Sequence, residues 1–307
     1  MKNKFLISIS MFILCIFLYS CKTEINEKDF NLSETEHIDK IIMSDKSGSI
    51  ITLEKEEDKW IINSKYPVWE RQIEYTLGVM KDIRVKSSVS EQKTEFVLQN
   101  IATKGVKVEI FDGGKKIKSY YIGGNTADHH GTYMIMENAK NAYVMHIPDR
   151  NPGILNPKYG IEGIHINENL WRKPITININ PKSITEVKVI DFIHSEQSYS
   201  INIENKILTD SKNKEILIEN RKYNAFPYFF SNLQCGVYRS NLNPEDFILI
   251  KKIYITTNNQ IDSLIIYDVS EIQKTQKKYA STVENLYAKW NNSDMVIIQK
   301  NIFNKVL

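Results

Sequence analysis

The chain has 307 residues, 42% of them hydrophobic and 25% charged, with a formal charge of +3. That composition belongs to a globular protein with a real core, and a charge this near neutral gives no long-range field to gather nucleic acid or bind an anionic surface. Three cysteines are present, and Cys15 and Cys21 both fall near the start, so Cys235 stands alone and neither a disulfide framework nor a thiolate metal cage is expected.

Lys2 and Lys4 form a positive start, and Phe5 to Leu18 is an apolar run too short to span a membrane as a mature helix. It ends in Leu18-Tyr19-Ser20-Cys21, which resembles a bacterial lipoprotein signal. That resemblance implies cleavage of residues 1–20 and acylation of the Cys21 thiol, with palmitate among the acyl groups. Losing Lys2 and Lys4 lowers the formal charge from +3 to +1. Residues 21–36 begin with the polar, aperiodic Lys22-Thr23-Glu24-Ile25-Asn26-Glu27-Lys28-Asp29 and are expected to be a flexible tether, reaching about 20 Å as a coil. Lys22 stands where an Asp retains lipoproteins in the inner membrane, so by resemblance to that sorting rule the outer membrane is expected. The periplasmic and cell-surface faces both remain open.

Residues 37–148 are read as a first unit. Ile38, Ile41 and Met43 start a strand, Asp45-Lys46-Ser47-Gly48-Ser49 turns, and Ile50–Leu53 and Lys59–Ile62 follow as strands. Trp69, Ile73, Leu77 and Met80 recur at helical spacing. Val106–Phe111 alternates, turns at Asp112-Gly113-Gly114 and returns through Lys118–Ile122, and Tyr133–Met136 and Ala142–Ile147 add a last pair. Residues 149–182 are rich in proline and glycine, yet carry Ile154, Leu155, Tyr159, Ile164, Leu170 and Trp171, and so read as a packed linker.

Residues 183–307 repeat the pattern. Ile184, Val187 and Val189, then Tyr199–Ile203 and Glu215–Ile218, read as strands. Phe226, Phe229, Phe230, Leu233 and Val237 keep helical spacing, with Pro227 in the first turn. Ile253–Ile255 turns at Asn258-Asn259-Gln260 into Leu264–Tyr267, and Leu286–Trp290 and Met295–Gln299 close the chain. Asn63-Ser64-Lys65-Tyr66 also parallels Asn220-Arg221-Lys222-Tyr223. The expected fold is therefore α+β, with two tandem repeats, each an antiparallel β-meander with one packed helix.

Trp60-Ile61-Ile62, Tyr66-Pro67-Val68 and the Ile73, Leu77, Met80 helix resemble the opening of an uncharacterised bacterial lipoprotein domain family, often encoded near gliding-type ABC transport components. Tyr120-Tyr121-Ile122-Gly123 and the run from Leu170-Trp171-Arg172-Lys173 through Ile175, Ile177, Ile179 and Pro181 to Val187 fit the same pattern. The resemblance implies a partner in a transport or gliding-type envelope machine. It supplies no catalytic residues.

Asp128-His129-His130-Gly131 is the most concentrated polar cluster and the candidate metal or ligand loop, with His146 as a further ligand. Adjacent histidines on an extended strand face opposite ways, and no HExxH spacing is present, so a polar hairpin tip is the plainer reading. No phosphate loop or GxSxG motif occurs, and Cys235 reads as a buried thiol at a helix end. Tyr75 and Tyr228 fall off the apolar stripes and form the candidate partner patch. The chain is thus expected to be a non-catalytic binding or assembly component, with no cofactor, no nucleic acid and a protein partner in the envelope. The alternatives are a carbohydrate-active or metal-dependent envelope enzyme and a small-ligand binding lipoprotein.

Overall fold

The computed structural model describes residues 26–148, 153–216, 224–239, 242, 244–258, 260–269 and 284–303. The signal sequence with Cys21, Asp149–Pro152 of the linker, Leu217-Ile218, the Asn220–Tyr223 motif and Asn259 lie outside the described residues. The chain is mostly β, with antiparallel sheets and few helices. Its described residues divide into two compact units, one running to Asp58 and then Arg71–Ile166, the other Lys59–Glu70 with the residues from Asn167 onward. The division falls inside the expected linker and gives the second unit a hairpin expected in the first.

In chain order, strands β1 (Ile38–Ser44), β2 (Ile50–Glu56), β3 (Lys59–Ile62) and β4 (Tyr66–Pro67) precede helix α1 (Glu70–Asp82). Strand β5 (Arg84–Ser88) and helix α2 (Glu91–Lys104) follow, then β6 (Val106–Asp112), β7 (Lys115–Asn125), β8 (Thr132–Met136) and β9 (Tyr143–His146). In the first unit the strands lie in the order β2-β1-β6-β7-β8-β9-β5. Alternation explains the core, because every second side chain of a strand faces one side. Ile41 and Met43 pair with Ile110 and Val108, and Val108 and Val106 pair with Tyr120 and Ile122, so one buried face runs across three neighbouring strands.

Helix α1 buries Ile73, Thr76, Val79 and Met80, while Leu77 is only half-buried, so the buried face is rotated from the expected stripe. Thr76 is tolerated there because its hydroxyl donates to the Lys158 carbonyl at 2.7 Å. Helix α2 was not expected, since only Val97 and Ile101 of its residues are buried. It lies close on β7 where Gly123 has no side chain; a Cβ there would sit 2.6 Å from Ile101 Cγ1.

The expectation of a tether through residue 36 is corrected from Asn26 onward. Phe30 is 1% exposed and Leu32 4%. The Phe30 ring packs at 6.0 Å from that of Tyr120 and 6.3 Å from that of Tyr143. Lys118 Nζ donates to the carbonyls of Asp29 (2.8 Å) and Asn31 (2.6 Å), and the Leu32 N–H donates to Met80 O at 2.9 Å.

Two-residue strands β10 (Ile161–Glu162) and β11 (His165–Ile166) close the first unit, and β12 (Thr176–Ile177) opens the later part of the second. Its main sheet comprises β13 (Ile184–Asp191), β14 (Tyr199–Asn202), β15 (Ile207–Asp210) and β16 (Glu215–Ile216), with four more strands after β17 (Leu233–Gln234). These are β18 (Phe247–Thr257), β19 (Ile261–Val269), β20 (Asn285–Trp290) and β21 (Val296–Gln299), followed by the short helix α3 (Lys300–Phe303). The order is β16-β15-β14-β13-β18-β19-β20-β21. Val187, Val189, Ile253, Ile255, Leu264, Ile266, Leu286 and Ile298 build one core with Phe230 and Phe303.

The helix expected from Phe226 through Val237 is also corrected. Phe226–Phe230 is a 3-10 turn, and Leu233–Gln234 forms β17, paired with β12. Pro227 starts a helical turn well but offers no N–H, and the bonds of β17 to Thr176–Ile177 take the chain out of the helix. The Phe226 ring still meets those of Phe229 (5.5 Å) and Phe230 (5.8 Å), and for Phe229 the reason is that i and i+3 eclipse at three residues per turn.

Candidate functional site

Residues 126–131 connect β7 to β8. The Thr126 N–H donates to Gly131 O (2.8 Å) and the His129 N–H to Thr126 O (2.9 Å), which closes the loop on itself. His129 takes a left-handed backbone, φ 58°, at the turn. Asp128 Oδ1 accepts from the Thr126 hydroxyl (2.5 Å) and from the His130 N–H (3.0 Å). Those two donors hold its carboxyl down at about 2.

The loop therefore joins Asp128 to His130 through a backbone N–H rather than an imidazole. Both histidines are exposed, and Lys86 Nζ donates to the His130 carbonyl at 3.1 Å. His146 sits on β9, in register with Arg84 of β5. Among the described residues no three His, Cys, Asp or Glu side chains gather closely enough to hold a metal ion.

Tyr75 and Tyr228 belong to different units. Tyr75 is 43% exposed on α1, and its hydroxyl accepts from Lys158 Nζ at 2.8 Å. Tyr228 is 60% exposed on the 3-10 turn, its carbonyl capped by the Ser231 hydroxyl at 2.8 Å. Cys235 lies past β17 rather than at a helix end; it is 2% exposed, and burial pushes its thiol up to about 12. A thiol held protonated is no nucleophile at neutral pH.

Three polar arrangements escape the sequence. In the second unit, Val68 bridges Arg172, the Trp69 N–H donates to Trp171 O (2.7 Å) and the Lys173 N–H to Pro67 O (3.2 Å). This pairing sets the Arg172 guanidinium between the rings of Tyr66 (3.6 Å) and Tyr238 (3.7 Å), with Asp294 Oδ2 at 2.8 Å. Arg172 draws the Asp294 carboxyl below its ordinary range. A guanidinium stacked on two rings and paired once is a cross-link between distant segments, with no face left for a substrate.

In the first unit, Lys107 meets Glu109 (3.0 Å) and Glu137 (2.8 Å), and Lys116 meets the same two carboxylates at 3.0 and 2.9 Å. The two lysines hold Glu137 down at about 2, the Lys107 hydrogen bond contributing most. Asp45, just past β1, is a buried acceptor for the N–H groups of Ser47 (2.9 Å), Ser49 (3.2 Å) and Ile166 (3.2 Å). No protein-family model, curated protein or solved structure matches the chain.

Proposed function

We propose that the chain is a lipid-anchored protein of the outer membrane that acts as a non-catalytic binding or assembly component and is built from a duplicated α+β unit. The observation that carries this reading is the Leu18-Tyr19-Ser20-Cys21 signal after a short apolar run. The polar clusters support it by their partners: Asp45, Asp128, Glu137 and the Arg172–Asp294 pair hold turns, strands or segments together. Exposed Tyr75 and Tyr228 remain the residues proposed for partner contact.

The duplication is supported by register. The order β2-β1-β6-β7-β8-β9 has its counterpart in β14-β13-β18-β19-β20-β21. Ile38, Ile41, Met43 and Asp45 correspond to Ile184, Val187, Val189 and Asp191, always 146 positions apart. The β1–β6 ladder is irregular between Ile38 and Lys40, and the β13–β18 ladder between Ile184 and Glu186, at that same offset. Asp191 accepts from the Ile193 N–H two residues on, as Asp45 does from Ser47. The sequence resemblance adds a transport or gliding-type machine as the setting.

The test is affinity purification with mild crosslinking from the native envelope, using a C-terminal tag. One membrane complex recovered from wild type and lost from Cys21→Ala is the expected result. A chain that brings down no partner and runs as a monomer overturns the assembly reading.

A further inference from the structure

We infer that Asn26–Leu32 is a docking latch that turns the lipid anchor into a short, oriented attachment, holding the β8–β9 turn end of the first unit against the bilayer surface. The inference rests on acylation of Cys21 and goes beyond it, because an anchor alone fixes neither height nor orientation.

The length of chain decides the matter. A tether free to residue 36 would stretch to about 50 Å, whereas Cys21 to Asn26 spans at most about 17 Å. From Glu27 onward the segment is held at Glu27, Asp29, Phe30, Asn31 and Leu32. Glu27 accepts from the Lys140 N–H (2.8 Å) and from Asn141 Nδ2 (2.7 Å), both in the turn between β8 and β9. These donors hold its carboxyl below the ordinary range. Lys118 grips the Asp29 and Asn31 carbonyls and pairs with the Asp29 carboxylate at 3.0 Å. Phe30 is the apolar plug between Tyr120 and Tyr143.

These contacts lie at one end of the sheet. Lys118 is near the start of β7, and the Glu137 N–H donates to Ser119 O where β8 ends. The turn at Gly113-Gly114 is at this end too, since Asp112 pairs with Lys115. The 126–131 loop is at the other end of β7, about 23 Å along the strand from Lys118. The attached end carries exposed Lys28, Lys115 and Lys140, cations suited to lipid phosphates at the surface. On this orientation the loop end faces away from the bilayer.

The experiment uses the full lipidated chain in phosphatidylethanolamine–phosphatidylglycerol vesicles carrying an acceptor dye. Donor dyes are placed singly at Lys140→Cys and Ala127→Cys, the native Cys235 being buried. The expected result is energy transfer about twofold higher from position 140 than from 127. Inserting a Gly-Ser linker of about ten residues between Ile25 and Asn26 leaves the fold intact and is expected to reduce the difference by lengthening the reach. Glu27→Ala with Lys118→Ala is expected to do the same, and to open the segment to protease. Equal transfer from both positions in wild type, unchanged by the linker, overturns the inference while leaving the anchor standing. Membrane retention of Cys21→Ala instead overturns the anchor itself.

Discussion

Tyr120 and Tyr159 are both fully buried, and their hydroxyls meet at 3.0 Å. Burial pushes both phenols well above their ordinary range, so the pair is neutral at any physiological pH. Tyr120→Phe strands the Tyr159 hydroxyl in the core and is expected to cost about 1–3 kcal/mol, whereas the double Tyr120→Phe/Tyr159→Phe change costs less than the sum of the singles. Urea unfolding of the four proteins gives the coupling. Arg172 makes a parallel case. Its side chain is 7% exposed and stacked on two rings, so Arg172→Ala is expected to lose about 2 kcal/mol, and Arg172→Lys to recover only part because ammonium does not stack as a plane. Nothing local in the sequence marks Arg172, since Tyr66, Tyr238 and Asp294 are distant along the chain.

Glu137 adds a pH dependence. Its carboxyl falls from the ordinary 4.5 to about 2 in the fold, so its contribution is complete above pH 4.5 and is lost as pH falls toward 2. Urea midpoints measured between pH 5 and about 2 are expected to fall more steeply in wild type than in Glu137→Gln.

At the scale of elements, legibility follows how fully each periodic stripe is filled. Strand β6 reads plainly because Val106, Val108 and Ile110 alternate at period two, and β1 and β13 keep that period from Ile41 and Val187 onward. Helix α2 did not, as Val97 and Ile101 are too few to make a stripe against its polar residues. Phe226 to Val237 misled because the spacing of three also serves a 3-10 turn, and the partner strand β12, whose Ile177 pairs with Leu233, is distant along the chain. Phe30 and Leu32 gave only a lone apolar pair in a polar stretch. Phe30→Ala empties the notch between Tyr120 and Tyr143 and is expected to cost about 3 kcal/mol, with proteolytic cleavage appearing first between residues 26 and 36.

For the whole molecule, the proposed compartment rests on the first twenty-one residues, and the fold adds the packing of Phe30 and Leu32. The Asp128–His130 loop was legible as a polar tip; its internal bonding through Thr126 and Gly131 was not, because it depends on the turn's backbone. The proposed duplication rests on the pattern Ile38, Ile41, Met43 and its echo in Ile184, Val187, Val189. The transfer of Lys59–Glu70 to the second unit was not, since it depends on backbone pairing with Trp171–Lys173.

The most direct measurement of the central claim is acyl labelling with radioactive palmitate followed by membrane fractionation, comparing wild type with Cys21→Ala. Label on the wild-type chain in the outer-membrane fraction, with Cys21→Ala unlabelled and released from the membrane, is the result the account predicts. An unlabelled wild-type chain, or a Cys21→Ala chain that stays with the membrane, would contradict it.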